Sequence, residues 1–264
     1  ESEEEETEKE DEVDKWAWKT PKAKEVEKKE DSSITRDKSA VTLTFCDSAE
    51  NHVGMQQLGE KCQLGGGFNK SDLEFAKEQF EKEGYECELI ELNDYYSKDD
   101  FPENETPKGA YLLFVKNGVE CLMNEKGTME DLFNEMVSFK WDRKYWDNRR
   151  KAVLNKHARF NVCFSENCQE ADLESGKGTV IDYKSVPLTS EIRKNLGKYL
   201  QEKGTEMECE GNLYYNKTNC GIGYHGDAER LKVAACRIGS MPIVFRWFYR
   251  HDPIGKEFLR NLDD

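Results

Sequence analysis

The chain of 264 residues lacks any run of about 18 apolar side chains, so no stretch of it can cross a bilayer as a helix. It has no Cys-x-x-Cys pair, and its nine cysteines are scattered, odd in number and unaccompanied by histidines at zinc-finger spacing. A disulfide framework and a structural zinc site are both disfavoured, and a reducing, intracellular setting in cytoplasm or nucleus is expected. Gly65-Gly66-Gly67 invites comparison with a phosphate loop, but no Lys-Ser/Thr follows it and Gly-x-Gly-x-x-Gly is absent. A flexible turn accounts for it. Aliphatic residues are almost missing from residues 1–40, an acidic and then mixed-charge run that cannot bury enough surface to offset its ordering entropy. That segment is expected to be a disordered acidic tail, with Trp16 and Trp18 its only adhesive residues.

What is present is charge, unevenly placed. The net charge is −15, which repels polyanions. Yet residues 141–161 carry seven Lys or Arg against two Asp, and residues 230–260 are base-rich as well. Arg143, Arg149, Arg150 and Lys151 are therefore candidate phosphate contacts on a stretch expected to be helical, although solvated surface bases would look the same.

Periodicity divides the remainder at about residue 140. VTLTF, YECELIEL and GAYLLFVKNGVECLMN alternate as strands, the last expected to fold as a hairpin turning at Asn117-Gly118. Helices are expected from Ser71, with Glu74 completing a capping box, and over residues 129–139, with Met129, Leu132, Phe133 and Met136 on one face. The fold class that follows is α+β, with a small α/β domain at 41–140 that carries no catalytic constellation. In residues 141–264, ARFNVCF, GKGTVIDY, EMECEGNLYYN, GIGYHGD and LKVAACRIG through PIVFRWFYR read as short consecutive strands, broken by a helix over 190–202. Such a series suggests a β-sandwich or jelly roll.

Within it, His225-Gly226-Asp227 is the pattern with chemistry. On an extended strand His225 and Asp227 would share a face, offering a neutral imidazole and a carboxylate to one ion, as in the two-histidine, one-carboxylate sites of non-haem Fe(II) enzymes. By spacing alone a chance surface turn is the commoner explanation. His52 is expected to pack, and His251, in FYRHDPIG, to lie at a surface turn.

The context of the tripeptide carries more. NLYYN, followed by the His-x-Asp and then by an apolar strand bearing RIG and FRW, resembles the AlkB-like 2-oxoglutarate- and Fe(II)-dependent dioxygenases, over roughly residues 148–264. The resemblance implies an incomplete double-stranded β-helix (jelly-roll) domain at 141–264, with His225 and Asp227 as iron ligands and Asn212 and Tyr214 as the Asn-x-Tyr that helps hold 2-oxoglutarate. The interval to the histidine is one residue longer than in relatives, which leaves Tyr215 and Asn216 as alternative contacts. RIG stands where relatives carry Ser-Leu-Gly or Ser-Phe-Gly. The resemblance further implies a second iron histidine and a 2-oxoglutarate arginine for which the chain after Asp227 is too short, so the sequence reads as a fragment, inactive by itself. The implied activity is oxidative demethylation of N-alkylated nucleic-acid bases, with Fe(II) and 2-oxoglutarate as cofactors and DNA or RNA as partner. Hydroxylation of a protein or small molecule, a non-catalytic interaction protein with a degenerate jelly roll, and coincidence in a structural β-domain stay open at this level.

Overall fold

A computed structural model describes residues 34–101, 105 and 107–262. The acidic segment expected to be disordered, with Trp16 and Trp18, falls almost wholly outside them. In chain order the elements are β1 (Ala40–Cys46), β2 (Ser48–Glu50), β3 (Gln57–Gly59), α1 (Lys70–Lys82), β4 (Cys87–Glu91), β5 (Tyr111–Val115), α2 (Gly118–Met123), α3 (Met129–Val137), β6 (Lys144–Asp147), β7 (Ala152–Asn155), β8 (Phe160–Ser165), β9 (Val180–Asp182), α4 (Pro187–Leu200), β10 (Glu208–Tyr214), β11 (Val233–Ile238), β12 (Met241–Tyr249) and β13 (Asp252–Leu262). The architecture is mixed α/β. No helix among the described residues is long and apolar enough to cross a membrane.

One five-stranded sheet organises the fold, in the order β11-β1-β10-β8-β9, with only the β8–β9 pairing parallel. Its strands alternate strictly. Val41, Leu43 and Phe45 of β1, Gly211 and Leu213 of β10, Val162 and Phe164 of β8, and Cys236 and Ile238 of β11 fall on one face, where α1 to α4 cover them. Phe80, Met123, Leu132, Phe133, Met136, Ile192, Leu196 and Tyr199 come from the helices into this core. Burying a side chain of this size contributes about 1.5–3 kcal/mol, so this face dominates stability. Gly211 sits where Trp141 crosses the sheet: an added Cβ would come within 2.9 Å of the Phe164 ring and 3.1 Å of the indole.

The division at 140/141 does not hold in the sheet. β1, expected to open a separate 41–140 domain, lies between β10 and β11, so both halves of the sequence build one sheet and one core. Several local expectations are also corrected. The hairpin expected at Asn117-Gly118 is absent: Asn117 takes a left-handed conformation (φ 57°) as the N-cap of α2, which puts Cys121, Leu122 and Met123 into the core. A strand would have sent only alternate members of that run inward. β5 pairs instead with β4. The basic stretch expected to be helical is the β6–β7 hairpin, whose Tyr145 stacks on His52 at 3.7 Å. α1 is capped by Asn69 with Asp72, not by Ser71 with Glu74; both arrangements offer the acceptor and carboxylate that a capping box needs. The α3 face falls as expected, with Met129, Leu132, Phe133 and Met136 all buried.

Candidate functional site

The second face of the sheet is polar. Glu208, Glu210, Asn212 and Tyr214 alternate along β10, with Asn161 and Cys163 beside them on β8, Thr42, Thr44 and Cys46 on β1, and Arg237 on β11. Register places Arg237, Thr42, Asn212 and Asn161 in a single row across four strands. Loops cover this face, and Glu210, Asn212 and Asn161 are buried beneath them. Buried polar groups need partners, and here they form a chain. The Asn212 Oδ1 accepts from Arg159 Nε at 2.6 Å and from the Asn161 amide, while its Nδ2 donates to Glu210 Oε1 at 3.0 Å. The other Glu210 oxygen accepts from Arg230 Nη2 at 2.6 Å.

Arg230 is the centre of the network. Only 6% of its side chain is exposed, yet it meets three carboxylates: Glu210, Glu229 and, at 3.4 Å, Asp227. Burial works to strip its proton, but its acidic neighbours, Glu210 first and Asp227 with it, together outweigh burial and hold the guanidinium charged. The same burial pushes the neighbouring Cys46 thiol up to about 12 despite the Arg230 charge, so that cysteine is an inert acceptor.

His225 and Asp227 hang from the end of this chain. The strand expected to carry them is absent; residues 221–232 form a loop between β10 and β11. The loop is tied at both ends. The Gly221 N–H donates to the Ala158 carbonyl, Tyr224 Oη donates to Glu257 on β13, and the Leu231 and Lys232 N–H groups both donate to the Asp47 carboxylate at 3.0 Å. Within it, His225 Nδ1 lies 2.9 Å from the Gly223 carbonyl. A carbonyl can only accept, so Nδ1 carries a proton in this contact and Nε2 is the ring atom left to meet an ion. That atom faces Asp227 Oδ1 at 3.7 Å, while Arg230 holds Oδ2. Burial pushes the Asp227 carboxyl up, against the Arg230 charge.

This pair passes one test as metal ligands. Bonds of about 2.1 Å let one ion bridge donors up to about 4.2 Å apart, and a histidine pinned through its other nitrogen is how ligating imidazoles are oriented. Half of the His225 side chain is exposed, so an ion could reach it. No cluster of three or more His, Cys, Asp or Glu comes together among the described residues, so the pair supplies two donors and no third. His251 sits exposed at the β12–β13 turn with φ 80°.

The remaining sequence candidates divide. Asn212 and Tyr214 share the polar face, and Asn212 connects to the His-x-Asp through Glu210 and Arg230. Tyr215 instead stacks on Phe160 and donates to the His157 carbonyl. Arg149, Arg150 and Lys151 stand exposed at the tip of the β6–β7 hairpin, where the Asp147 carboxylate accepts the Arg149 and Arg150 backbone N–H groups and so leaves both side chains outward. Arg143 is exposed at the opposite, open end of that hairpin, with its guanidinium over the Phe160 ring. Sequence reasoning missed Glu210, Arg230, Arg159, Asn161 and Thr42. A signal existed: three strands alternate polar with apolar at every step, which marks a second face filled by polar side chains.

Among known proteins, the chain is 34% identical over 232 residues, 88% of its length and 87% of the relative's, to the uncharacterized protein R156 of Acanthamoeba polyphaga mimivirus. The chain belongs to that protein's family. No family model and no solved structure matches it. The chemistry open to the chain is therefore read from its polar face.

Proposed function

We propose that the chain is the catalytic region of a 2-oxoglutarate- and Fe(II)-dependent dioxygenase of the AlkB-like kind, acting on N-alkylated bases of nucleic acid. The observation that carries the reading is the disposition of His225: its Nδ1 is committed to the Gly223 carbonyl and its Nε2 is turned toward Asp227 Oδ1, whose partner oxygen is held by Arg230. In this reading His225 and Asp227 hold the iron, and Asn212 and Tyr214 border the cosubstrate, with the sheet and its covering loops as part of a double-stranded β-helix. Bound there, iron with 2-oxoglutarate would supply oxidation of an N-methyl carbon, which is lost as formaldehyde.

The chain's own residues do three things. Arg230 keeps Asp227 oriented and, by pairing with Glu210, keeps that second buried carboxylate from competing for the ion. Asn161 and Arg159 saturate the Asn212 carbonyl oxygen, which fixes the amide so that its remaining N–H has one orientation. Arg143, Arg149, Arg150 and Lys151 hold a phosphate backbone without reading its sequence, and a base reaches the site only from a single strand or by leaving its stack.

The deciding assay follows Fe(II)-dependent conversion of 2-oxoglutarate to succinate by the full-length protein, with and without an N-methylated oligonucleotide. Turnover stimulated by the oligonucleotide and abolished in His225→Ala is the expected result. Absence of Fe(II)-dependent succinate under every condition would sink the oxygenase reading, and turnover indifferent to nucleic acid would remove the proposed substrate.

A further inference from the structure

Two small sheets, β4–β5 and β12–β13, meet outside the main core and leave a slot of about 190 Å³ between them. Leu92 and Ala110, backbone partners at the end of β4–β5, line one side, with Tyr95 from the turn after β4. Phe245 and Trp247 of β12 and Phe258 of β13 line the other. The Tyr95 and Phe258 rings lie 4.9 Å apart, and those of Phe245 and Phe258 6.1 Å apart. Every lining residue is half-buried, so the rings are neither sealed in the interior nor spread on the surface. Two backbone irregularities coincide with the slot. Phe245 pairs with Phe258 and Trp247 with Ile254, so Arg246 alone faces Gly255, Lys256 and Glu257 across a bulge. Bulges bend a strand and re-aim its side chains. Gly255, with φ 60°, lies so close to the turn after β4 that an added Cβ would run into the Tyr95 carbonyl oxygen. The hairpin is thereby seated by backbone approach, beside the gap and without filling it.

Size, polarity and charge limit the guest. Drug-sized ligands occupy about 300–1,000 Å³, whereas a cavity of about 150 Å³ lined by apolar side chains takes benzene. This slot therefore holds one ring, or two fused. The donors nearest it are committed: the Trp247 indole N–H donates to the Leu92 carbonyl at 2.7 Å, and the Leu92 N–H to the Ala110 carbonyl at 2.9 Å. The charged lining residue, Arg246, donates from Nη1 to Glu257 Oε1 at 3.1 Å, and the Tyr224 hydroxyl donates to the same oxygen at 3.0 Å. Arg260, whose guanidinium lies over the Phe258 ring, is paired in the same way with Glu88. Such pairing leaves no net charge to hold a carboxylate or a phosphate. An uncharged ring gains from burial and from edge or face contact with aromatic neighbours.

We propose that the slot between β4–β5 and β12–β13 is a binding site for one small, uncharged aromatic molecule. It stands apart from the His-x-Asp and needs no part of the oxygenase reading. Its edge nevertheless meets the covering loop, since Glu257 links Arg246 to Tyr224, the residue before His225.

The full chain, labelled with nitrogen-15, is titrated with phenol, cyclohexanol, benzoate and N-acetyltyrosinamide at pH 7, and the indole N–H resonances are followed. Phenol should bind saturably, with a dissociation constant on the order of 1 mM for so small a ligand, and should shift the Trp247 resonance more than those of Trp141 and Trp146. Cyclohexanol, of matching size but without a π face, should bind about two- to tenfold more weakly. Ala110→Leu, which fills the slot from the β4–β5 side, should weaken phenol at least tenfold, whereas Leu64→Ser, at an apolar side chain 89% exposed elsewhere on the surface, should leave it unchanged. No saturable phenol binding, or equal binding by Ala110→Leu, overturns the site. If Ala110→Leu does not fold, the Trp247 shift measured against Trp141 and Trp146 decides. Cyclohexanol as tight as phenol overturns the aromatic class, and benzoate tighter than phenol overturns the uncharged one. N-acetyltyrosinamide tighter than phenol overturns the assignment to a free small molecule and gives the slot to an aromatic side chain of a peptide.

Discussion

Replacing Arg230 by methionine tests whether the network beneath the His-x-Asp loop is a true buried electrostatic unit. The side chain is 6% exposed and its partner Glu210 is 7% exposed, so the substitution strands a carboxylate that water cannot solvate. Breaking a buried pair from one side costs about 3–5 kcal/mol, because the survivor is left uncompensated. At about 2–4 °C per kcal/mol for a chain of this size, the melting temperature falls on the order of 10 °C. Without the guanidinium, burial raises the Asp227 carboxyl still further above its unfolded value. An acid whose folded pKa is raised destabilises the fold at high pH and is relieved as pH falls through that pKa. The deficit should therefore be largest at pH 7 to 8 and shrink toward pH 5. Adding Glu210→Gln removes the stranded charge, so the double variant recovers most of the loss, to within about 1–2 kcal/mol of wild type. Urea titrations at pH 5, 6 and 7.5 on the four members of the cycle give the numbers. A single-variant loss below about 1 kcal/mol, or a double variant as unstable as the single, would refute the reasoning.

Three further perturbations have defined outcomes. Burial works to raise the Asp47 carboxyl, but the N–H groups of Cys62, Lys232 and Leu231 overcome it and hold it at about 2, so stability from this group is full above about pH 4 and is lost as pH falls toward 2; Asp47→Asn should cost about 1 kcal/mol at pH 7 after solvent screening, flatten that acid limb, and raise hydrogen exchange of the Leu231 and Lys232 amides. Lys156 is buried against Asn51, and burial lowers its ammonium to about 8, so between pH 8 and 10.5 the unfolded chain binds more protons and stability rises with pH; urea midpoints at pH 7.5 and 9.5 should differ in wild type and converge in Lys156→Met. Changing Arg149 and Arg150 together to Gln should weaken oligonucleotide binding uniformly across sequences and make the slope of log K against log salt shallower by about 1–2, as read by fluorescence anisotropy, and an unchanged slope would take the hairpin tip off the interface.

The parts of the fold legible in the sequence are those governed by local periodicity. The apolar spacing of Met129, Leu132, Phe133 and Met136 fixes a face without outside help, and the alternation in VTLTF marks a strand whatever it pairs with. What alternation cannot report is the partner. β1 reaches across the chain to β10 and β11, and no signal within residues 41–46 distinguishes that from a local sheet. Asn117-Gly118 misleads for a related reason: both residues favour a left-handed turn, and such a turn serves equally as a hairpin corner or as the entry to α2. The basic hairpin was hidden by its charge. Lys and Arg are good helix formers, whereas Tyr145, Trp146, Val153 and Leu154, the residues that pair across β6–β7, carry the strand preference. The resemblance singled out Asn212 and Tyr214 but not Arg230, whose contacts depend on a loop that returns the chain over Glu210.

That return also constrains the His-x-Asp away from a strand. A strand would fix the two side chains to one face and leave their orientation to rotamers. The loop does more, because each donor is constrained through an atom that does not point at the other: His225 through Nδ1 to the Gly223 carbonyl, Asp227 through Oδ2 to Arg230. Arg230 in turn is fixed by Glu210 on β10, the middle strand of the sheet, and the loop's exit is fixed by Asp47 immediately after β1. Two central strands therefore hold the Asp227 side of the pair, while the Gly223 carbonyl orients His225 from within the loop. A consequence separates this account from a chance surface turn: Glu210→Gln, which touches neither His225 nor Asp227, should weaken Fe(II) or Mn(II) binding to the full-length protein by about 10–100-fold while leaving the metal stoichiometry unchanged. Unaltered affinity in that variant would mean that the loop positions its donors alone and that the buried network serves stability only.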